Sequence, residues 1–206
     1  MRKLLFILTV FVCGALQGVA AQDMRSLFLA APDEVFPLLT KSSRADCVDY
    51  IDAGMEARVT NRLEGTSILR ALTRDYMYVE TSASSWLEAA LLPSGSDTLV
   101  CVVKGVKAEA ADSRLLFYDR SWRPLQGDSL FTEPVIDDFF ASADSAARYS
   151  GKCDIYLVKY SLDAAGGTLV AEYTMPAYMS GEDASIVAPL LRALTYRWNG
   201  KRFVRE

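Results

Sequence analysis

The feature that most constrains the fold is a change of hydrophobic period at Ala57. From there Ala57, Val59 and Leu63 alternate with polar residues, and a repeat of two is typical of a half-exposed strand. Turn-forming residues such as 93–97 separate further strand-like runs. The segment Leu99–Val103 is apolar at every position, which predicts a strand at the centre of a sheet. The other predicted strands are 76–81, 86–92, 115–118, 155–162 and 168–175.

Helical patterns precede and interrupt these strands. Residues 24–53 predict helices broken at Pro32 and Pro37, with Ser43 and Asp46 as a capping box. Gly54 then provides a left-handed helix end.

Two inserted helices are predicted further along the chain. The first spans 133–148, with Val135, Ile136, Phe139 and Phe140 on one side. The second is short and is capped by Ser180, three residues before Asp183.

The C-terminus predicts a hairpin around Asn199-Gly200, a pair that suits a two-residue turn. Such a turn places Trp198 opposite Lys201 and Tyr196 opposite Phe203. The order of elements predicts an α+β fold, in which N-terminal helices precede a mainly antiparallel β-sheet with one or two inserted helices.

The N-terminus predicts export. Arg2 and Lys3 precede a short apolar run, and Val19 and Ala21 form a small-residue cleavage pattern. The run is shorter than the ~18 residues of a membrane-spanning helix. We therefore expect residues 1–21 to be a cleavable signal peptide and residues 22–206 a single domain of the periplasm or cell envelope. Acylation at Cys13 is a minor alternative, because bulky residues precede that cysteine.

Composition excludes several classes of function. Histidine is absent, so the usual base of serine and cysteine hydrolases and the common zinc ligand are missing. Without Arg2 and Lys3 the chain has 20 basic and 26 acidic residues, a net charge of −6, and no basic stripe for nucleic acid. We expect no cofactor and no metal.

Three cysteines remain after cleavage. Cys101 lies in the apolar run and is interpreted as a small buried hydrophobe. Cys47 and Cys153 can form one bridge after export, and the sequence leaves that pairing open.

Candidate contacts for a ligand fall into three groups. Asp46, Asp49 and Asp52 recur every three residues and form either a cation-binding strip or the solvated face of a helix. The second group contains Arg44, and Arg74 beside Asp75. These charged residues are either anchors for a ligand or members of structural ion pairs. Trp86, Trp122, Tyr196 and Trp198 form a binding platform or pack across strands. The residues selected from these groups are Arg44, Asp46, Asp49, Asp75, Trp122 and Trp198.

Several short motifs lie between residues 24 and 125. They are Pro37-Leu38-Leu39-Thr40, Arg44-Ala45-Asp46, Asp49-Tyr50-Ile51-Asp52-Ala53-Gly54-Met55, Val59-Thr60-Asn61, Leu72-Thr73-Arg74-Asp75-Tyr76, Asp112-Ser113-Arg114, Phe117-Tyr118 and Trp122-Arg123-Pro124-Leu125. As a set they resemble a family of exported Bacteroidetes proteins, domain of unknown function 3256 (DUF3256). The resemblance implies export to the envelope of a Gram-negative bacterium, without an activity or catalytic residues.

Two functional hypotheses follow. The first is a non-catalytic binding or accessory module for a protein, peptide or glycan of the envelope. The alternative is a glycan hydrolase that uses carboxylates alone, which requires two carboxyl groups roughly 5 to 10 Å apart in a cleft. Its candidate acids are Asp46, Asp49, Asp75, Asp112, Glu80 and Glu88.

Overall fold

The computed structural model describes residues 23–165 and 167–206, so the predicted signal peptide and Cys13 lie outside the described residues. Four α-helices are described: α1 (Met24–Ala30), α2 (Lys41–Asp52), α3 (Ala143–Tyr149) and α4 (Gly181–Val187). Four short 3-10 helices are Ile136–Phe139, Ser150–Lys152, Met175–Tyr178 and Ala188–Leu190. Within this part of the chain, none of the helices has the length and apolar character needed to span a membrane.

The strands form two antiparallel sheets, which confirms the predicted α+β class. The large sheet is a six-stranded meander in the order β1-β2-β3-β4-β5-β6, and the small sheet has the order β10-β9-β8-β7. The strands of the large sheet are β1 (Ala57–Thr60), β2 (Thr66–Leu72), β3 (Tyr76–Ser82), β4 (Ser85–Ser94), β5 (Asp97–Val106) and β6 (Asp112–Tyr118). Those of the small sheet are β7 (Val158–Leu162), β8 (Thr168–Tyr173), β9 (Leu194–Trp198) and β10 (Phe203–Arg205).

The large sheet is buried on both faces by different partners. One face packs against α1 and α2 through a core that includes Phe28, Cys47 and Val102. The other face packs against the small sheet through a core that includes Cys101 and Cys153. Burial on both faces explains the continuous apolar run of β5, although β5 is next to the edge of the sheet instead of at its centre. Cys47 and Cys153 are free and lie in different cores, so the disulfide left open by the sequence is not formed.

Side chains of the large sheet cap the edge of the small sheet. The outward N–H groups of β7 come from alternate residues, and each donates to a side chain instead of a neighbouring strand. Val158 N donates to Asp112 Oδ1 at 3.2 Å, Tyr160 N to Ser113 Oγ at 2.7 Å, and Leu162 N to Glu88 Oε2 at 2.7 Å. These bonds satisfy backbone N–H groups of an edge strand that would otherwise be buried without hydrogen-bond partners. They also attach the small sheet to β4 and β6.

The predicted C-terminal hairpin exists, but the predicted strand register is wrong by two residues. Phe203 pairs with Trp198 and Arg205 with Tyr196, across a four-residue loop. Asn199 causes this change, because its side-chain oxygen accepts from the N–H groups of Lys201 and Arg202. A shift of two preserves the faces, so Tyr196 and Phe203 remain buried.

Two helix predictions are also wrong in detail. The predicted helix over 133–148 is instead the 3-10 helix Ile136–Phe139 followed by α3, and Val135 is exposed. Helix α2 is capped by Thr40, whose hydroxyl accepts from Ser43 N at 3.0 Å, and Ser43 is therefore not its cap. The Ser180 cap of α4 is confirmed, since Ser180 Oγ accepts from Asp183 N at 3.2 Å.

Candidate functional site

Arg44, the first predicted contact, lies inside the N-terminal helical layer. It is 1% exposed and donates to the carbonyl oxygens of Leu39 at 2.7 Å and Ala31 at 2.5 Å. Its guanidinium lies 3.6 Å from Asp33 and 5.8 Å from the centre of the Phe36 ring. Burial lowers the pKa of Arg44 from its usual value. These contacts hold the connection between α1 and α2 in place.

The predicted carboxylates lie on outer surfaces and do not converge. Asp46 and Asp49 are exposed on α2, and Asp75 is exposed in the turn between β2 and β3. Asp52, the third member of the predicted strip, instead forms a two-bond ion pair with Arg25 of α1. In the described ranges, no group of three side chains is arranged to hold a metal ion.

The two predicted tryptophans both act as hydrogen-bond donors between layers. Trp122 is buried with a positive φ of 61°, and its indole N–H donates to Leu27 O of α1 at 3.0 Å. Trp198 donates to Pro93 O, at the end of β4, at 2.7 Å. Each indole thus joins one layer to the large sheet. Trp122 is buried, and Trp198 is half-buried with its ring edge-on to that of Phe203 at 5.3 Å.

Three of the acids proposed for a hydrolase are bonded to other groups of the protein. Glu88 is 6% exposed; burial raises its pKa, and its carboxylate accepts from Leu162 N. Asp112 accepts from Val158 N, while Glu80 is paired with Arg70 and Lys107 at the surface. Of these three carboxylates, only Glu88 is buried, and Asp112 and Glu80 are partly exposed.

A cleft opens where the two sheets meet. Tyr196 of the predicted aromatic platform lines it, and none of the six selected contacts does. It consists of three hollows of about 360, 400 and 580 Å³, and Glu133 lines all three. We call it the Glu133 cleft. Ligand sites in proteins commonly have volumes of about 300–1,000 Å³. Other residues that line the cleft are Leu115, Phe117, Asp128, Phe131, Thr132, Pro134, Val135, Asp137, Asp138, Tyr156, Tyr196, Arg202, Phe203, Val204 and Arg205.

The charges along the Glu133 cleft are mainly negative. Four carboxylates line it, and only the pair between Asp138 and Arg205, at 2.6 Å, is an ion pair among the described lining residues. Burial alone would raise the pKa of Asp138. The hydrogen bond from Val135 N and the pairing with Arg205 outweigh burial, so the pKa is lowered. The second cation, Arg202, donates to Thr132 Oγ1 at 2.6 Å. The guanidinium groups of both arginines are therefore bonded to other residues that line the cleft.

Tyr160 is a buried residue that packs against Phe131 of the cleft lining, and its hydroxyl group is unsatisfied. The residue is 1% exposed, and its hydroxyl has no hydrogen-bond partner among the described residues. Its ring packs edge-on against Phe131 at 5.6 Å. Burial raises the pKa of Tyr160, and the phenol of Tyr156 and the carboxylate of Glu133 add to the effect. The hydroxyl lies beside that of Tyr156, which donates instead to Pro134 O at 2.7 Å.

Replacing Tyr160 with phenylalanine is expected to leave the free energy of unfolding unchanged or to raise it by about 1 kcal/mol, because the substitution removes an unsatisfied buried polar group. Urea unfolding followed by tryptophan fluorescence measures the change. Tyr173→Phe is the matched control, since Tyr173 OH donates to Ile155 O at 2.6 Å and its loss should destabilise the protein. A loss of stability in Tyr160→Phe as large as in the control would contradict this assignment.

The sequence carried a partial signal for this cleft. Asp128, Glu133, Asp137 and Asp138 concentrate acids within a short segment around Pro134. The prediction of a regular helix over 133–148 placed Asp137 and Asp138 away from the apolar side of that helix. The irregular backbone before the 3-10 helix instead turns them around the hollows.

One protein family matches the chain. The model of the family described as Protein of unknown function (DUF3256) matches residues 16–203. A solved structure titled as a domain of an uncharacterized protein from Porphyromonas gingivalis W83 is similar, with 30% sequence identity and a TM-score of 0.77. The match covers 91% of this chain and 100% of that domain. No curated protein matches the chain.

Proposed function

Because the chain belongs to the family described as Protein of unknown function (DUF3256), which assigns no activity, we propose its role from the Glu133 cleft. The protein is an exported, non-catalytic binding module of the periplasm or cell envelope. A polypeptide partner occupies the cleft. The mature unit is residues 22–206, which act as one domain because both cores share the large sheet.

The observation that carries this proposal is the combination of a concave surface with exposed apolar side chains at its rim. Val135 is 64% exposed and Tyr156 40% exposed, and both line the largest hollow. Val204, also exposed, lines the hollow next to β10. Exposed apolar groups that cluster around a cleft and alternate with polar groups are typical of sites that bind a partner.

A polypeptide fits this surface better than a glycan. Sugar-binding sites depend on aromatic rings that present an open face to the ligand. The rings of Phe131, Tyr196 and Phe203 are buried and pack edge-on against one another. Tyr156 is the one exposed aromatic ring among the described lining residues, and it stands with the exposed aliphatic Val135 and Val204. Charged and polar side chains lie between them, a mixture that suits the apolar and polar side chains of a peptide.

The location is supported by the N-terminal sequence. Arg2 and Lys3, the apolar run and the small residues before position 22 are the pattern of a secretory signal peptide. Cell fractionation and mass spectrometry of the mature N-terminus test this part of the proposal. A mature chain that begins at Gln22 in the periplasmic or envelope fraction is the expected result.

Site-specific photo-crosslinking in living cells tests the binding surface. A photoreactive amino acid at position 135 should crosslink one envelope polypeptide, whereas the same amino acid at position 63 should not. Leu63 is the matched control because it is 75% exposed, is also aliphatic, and lies in the connection between β1 and β2, away from the cleft. Equal crosslinking from both positions, or crosslinking from position 63 alone, would contradict the proposal.

A further inference from the structure

We infer that the polypeptide partner binds as an extended strand that adds to the outer edge of β10 in the Glu133 cleft, pairing with the backbone N–H of Arg205 and the backbone C=O of Phe203. This inference rests on the proposed function and specifies how the partner binds. Three observations support it: the open edge of β10, the hollow along this edge, and the blocked edge at the other side of the same sheet.

Strand β10 pairs with β9 on one side and has an open edge on the other. Glu206 N donates to Thr195 O of β9 at 2.9 Å. Because backbone groups alternate in direction along a strand, Phe203 and Arg205 direct their N–H and C=O groups away from β9. Phe203 N donates in this direction to Leu130 O at 2.8 Å, whereas Arg205 N and Phe203 O have no hydrogen-bond partner among the described residues. A peptide backbone supplies both the acceptor and the donor that these two groups need.

The hollow of about 400 Å³ lies along this open edge. Residues 202–205 form one wall of the hollow, and residues 132–134 form the other. The second wall contacts β10 only at its two ends, through Leu130 O and through the ion pair between Asp138 and Arg205. Between these contacts the edge faces the hollow, so an extended segment can lie beside β10 at the usual strand spacing of about 4.8 Å.

The side chains next to the edge suit an extended segment. Successive side chains of a strand point to opposite faces, so the partner contacts both faces of β10. On the outer face, Val204 is 45% exposed and is available as an apolar cross-strand neighbour. On the other face, Tyr196 and Pro134 line the hollow. These contacts favour a partner strand that carries an apolar side chain beside Val204.

The other edge of the small sheet is blocked. All three outward N–H groups of β7, those of Val158, Tyr160 and Leu162, donate to side chains of the large sheet. Open strand edges pair readily with other chains, and proteins commonly block them. The fold thus blocks the edge that faces the large sheet and leaves open the edge that borders the cleft.

A second copy of the chain suits this edge less well than a different polypeptide. Antiparallel pairing of two β10 strands with Arg205 opposite Arg205 places like charges together, which destabilises a sheet. Pairing with Arg205 opposite Phe203 requires the N–H of Phe203, which Leu130 already engages. A different polypeptide has neither restriction.

Peptide selection followed by backbone methylation tests the inference with the purified mature protein. A library of random peptides displayed on phage is selected on the protein, and the enriched peptide is synthesised with an N-methyl group at each position in turn. A methyl group on a peptide nitrogen removes a donor and blocks strand pairing at that position. Methylation at alternate positions should weaken binding about tenfold or more in calorimetry, and methylation at the positions between them should have little effect.

Arg205→Pro makes the corresponding change in the protein. Proline has no N–H, and an edge strand tolerates proline where that N–H faces outward. Arg205→Ala removes the same side chain but keeps the N–H, so Arg205→Pro should bind the enriched peptide at least about fivefold more weakly than Arg205→Ala. Thr60→Pro is the control at another edge: Asn61 N donates to Gly65 O of the hairpin, so the N–H of Thr60 faces outward from β1, and binding should be unchanged.

Hydrogen exchange in the natural protein provides a measurement that needs no variant. The Arg205 amide should become protected when the enriched peptide binds, because the peptide backbone then accepts its hydrogen bond. The Thr60 amide should exchange at the same rate with and without the peptide. Protection that is absent at Arg205 would overturn the inference even if Arg205→Pro failed to fold.

The two proposals fail in different ways. Binding that is unaffected by methylation at every position, or equal binding to Arg205→Pro and Arg205→Ala, would overturn strand addition and leave the binding function in place. A dimer in sedimentation equilibrium that dissociates in Arg205→Pro would show that a second copy occupies the edge, and would also overturn the inference. Failure to enrich any peptide would overturn it as well. If position 135 also fails to crosslink a partner in cells, the proposed function itself is wrong.

Discussion

Replacing Arg44 with alanine is expected to lower the free energy of unfolding by about 3–5 kcal/mol, because two buried carbonyl oxygens lose their donor, at about 1–3 kcal/mol each, and a cavity is left. Arg44 is fully enclosed, and its guanidinium satisfies the carbonyl oxygens of Ala31 and Leu39. Alanine leaves both carbonyls without this donor and opens a cavity beside Phe36. The connection between α1 and α2 should therefore loosen from the large sheet.

Urea unfolding followed by tryptophan fluorescence measures this effect, because Trp122 bonds to α1 and reports on the same layer. Arg25→Ala is the control: it removes an ion pair with Asp52 whose members are both exposed to solvent, and such pairs contribute less than about 1 kcal/mol. If Arg44→Ala is no more destabilising than this control, the structural role of Arg44 is wrong. A ligand-binding role would then return as the better interpretation.

Replacing Glu88 with alanine is expected to lower the free energy of unfolding by about 1–3 kcal/mol, the cost of leaving a buried donor unsatisfied. The donor is Leu162 N, which forms the last of the three edge bonds of β7. Ser113 and Asp112 hold the other two, so the end of the small sheet near Leu162 should open first. Hydrogen exchange of the Leu162 amide measures that opening directly.

Glutamine at position 88 provides the matched control and a test of pH dependence. Burial raises the pKa of Glu88 above 4.5, its usual value, so the folded state binds this proton more tightly than the unfolded state. The stability from this group is fully present below the unfolded-state pKa and is lost as pH rises through the folded-state pKa. Glutamine keeps an oxygen acceptor and cannot ionise. The stability of Glu88→Gln relative to the natural protein should therefore increase as the pH rises above 4.5; a difference that does not change with pH would contradict a raised pKa.

Periodicity predicted most elements, and it failed where the backbone departs from a regular repeat. Strand β2 was missed because a bulge at Arg70 interrupts its alternation between Leu69 and Ala71. The register of β9 and β10 was wrong because a side chain, Asn199, sets the length of their loop. Neither effect is visible in a pattern of apolar and polar residues.

The candidate site depended still more on tertiary structure. Arg44 was selected as a possible ligand anchor and Trp122 as part of a binding platform, and both instead donate to backbone carbonyl oxygens of the N-terminal helical layer. The Glu133 cleft combines an irregular segment with β6, β9 and β10, which are distant in sequence. The unsatisfied hydroxyl of Tyr160 follows from how the two sheets pack, and a sequence gives no sign of it.

The most direct test of the proposed binding function is a map of amide chemical shifts in the purified, isotope-labelled protein. The probe is a synthetic peptide with the partner sequence that crosslinks to position 135 in cells, and the control is a peptide with the same residues in scrambled order. The partner peptide should shift the amides of Thr132, Glu133 and Arg205, and the scrambled peptide should shift them much less. Shifts confined to the α1 and α2 side of the large sheet, or no shift at the Glu133 cleft, would contradict the proposed function.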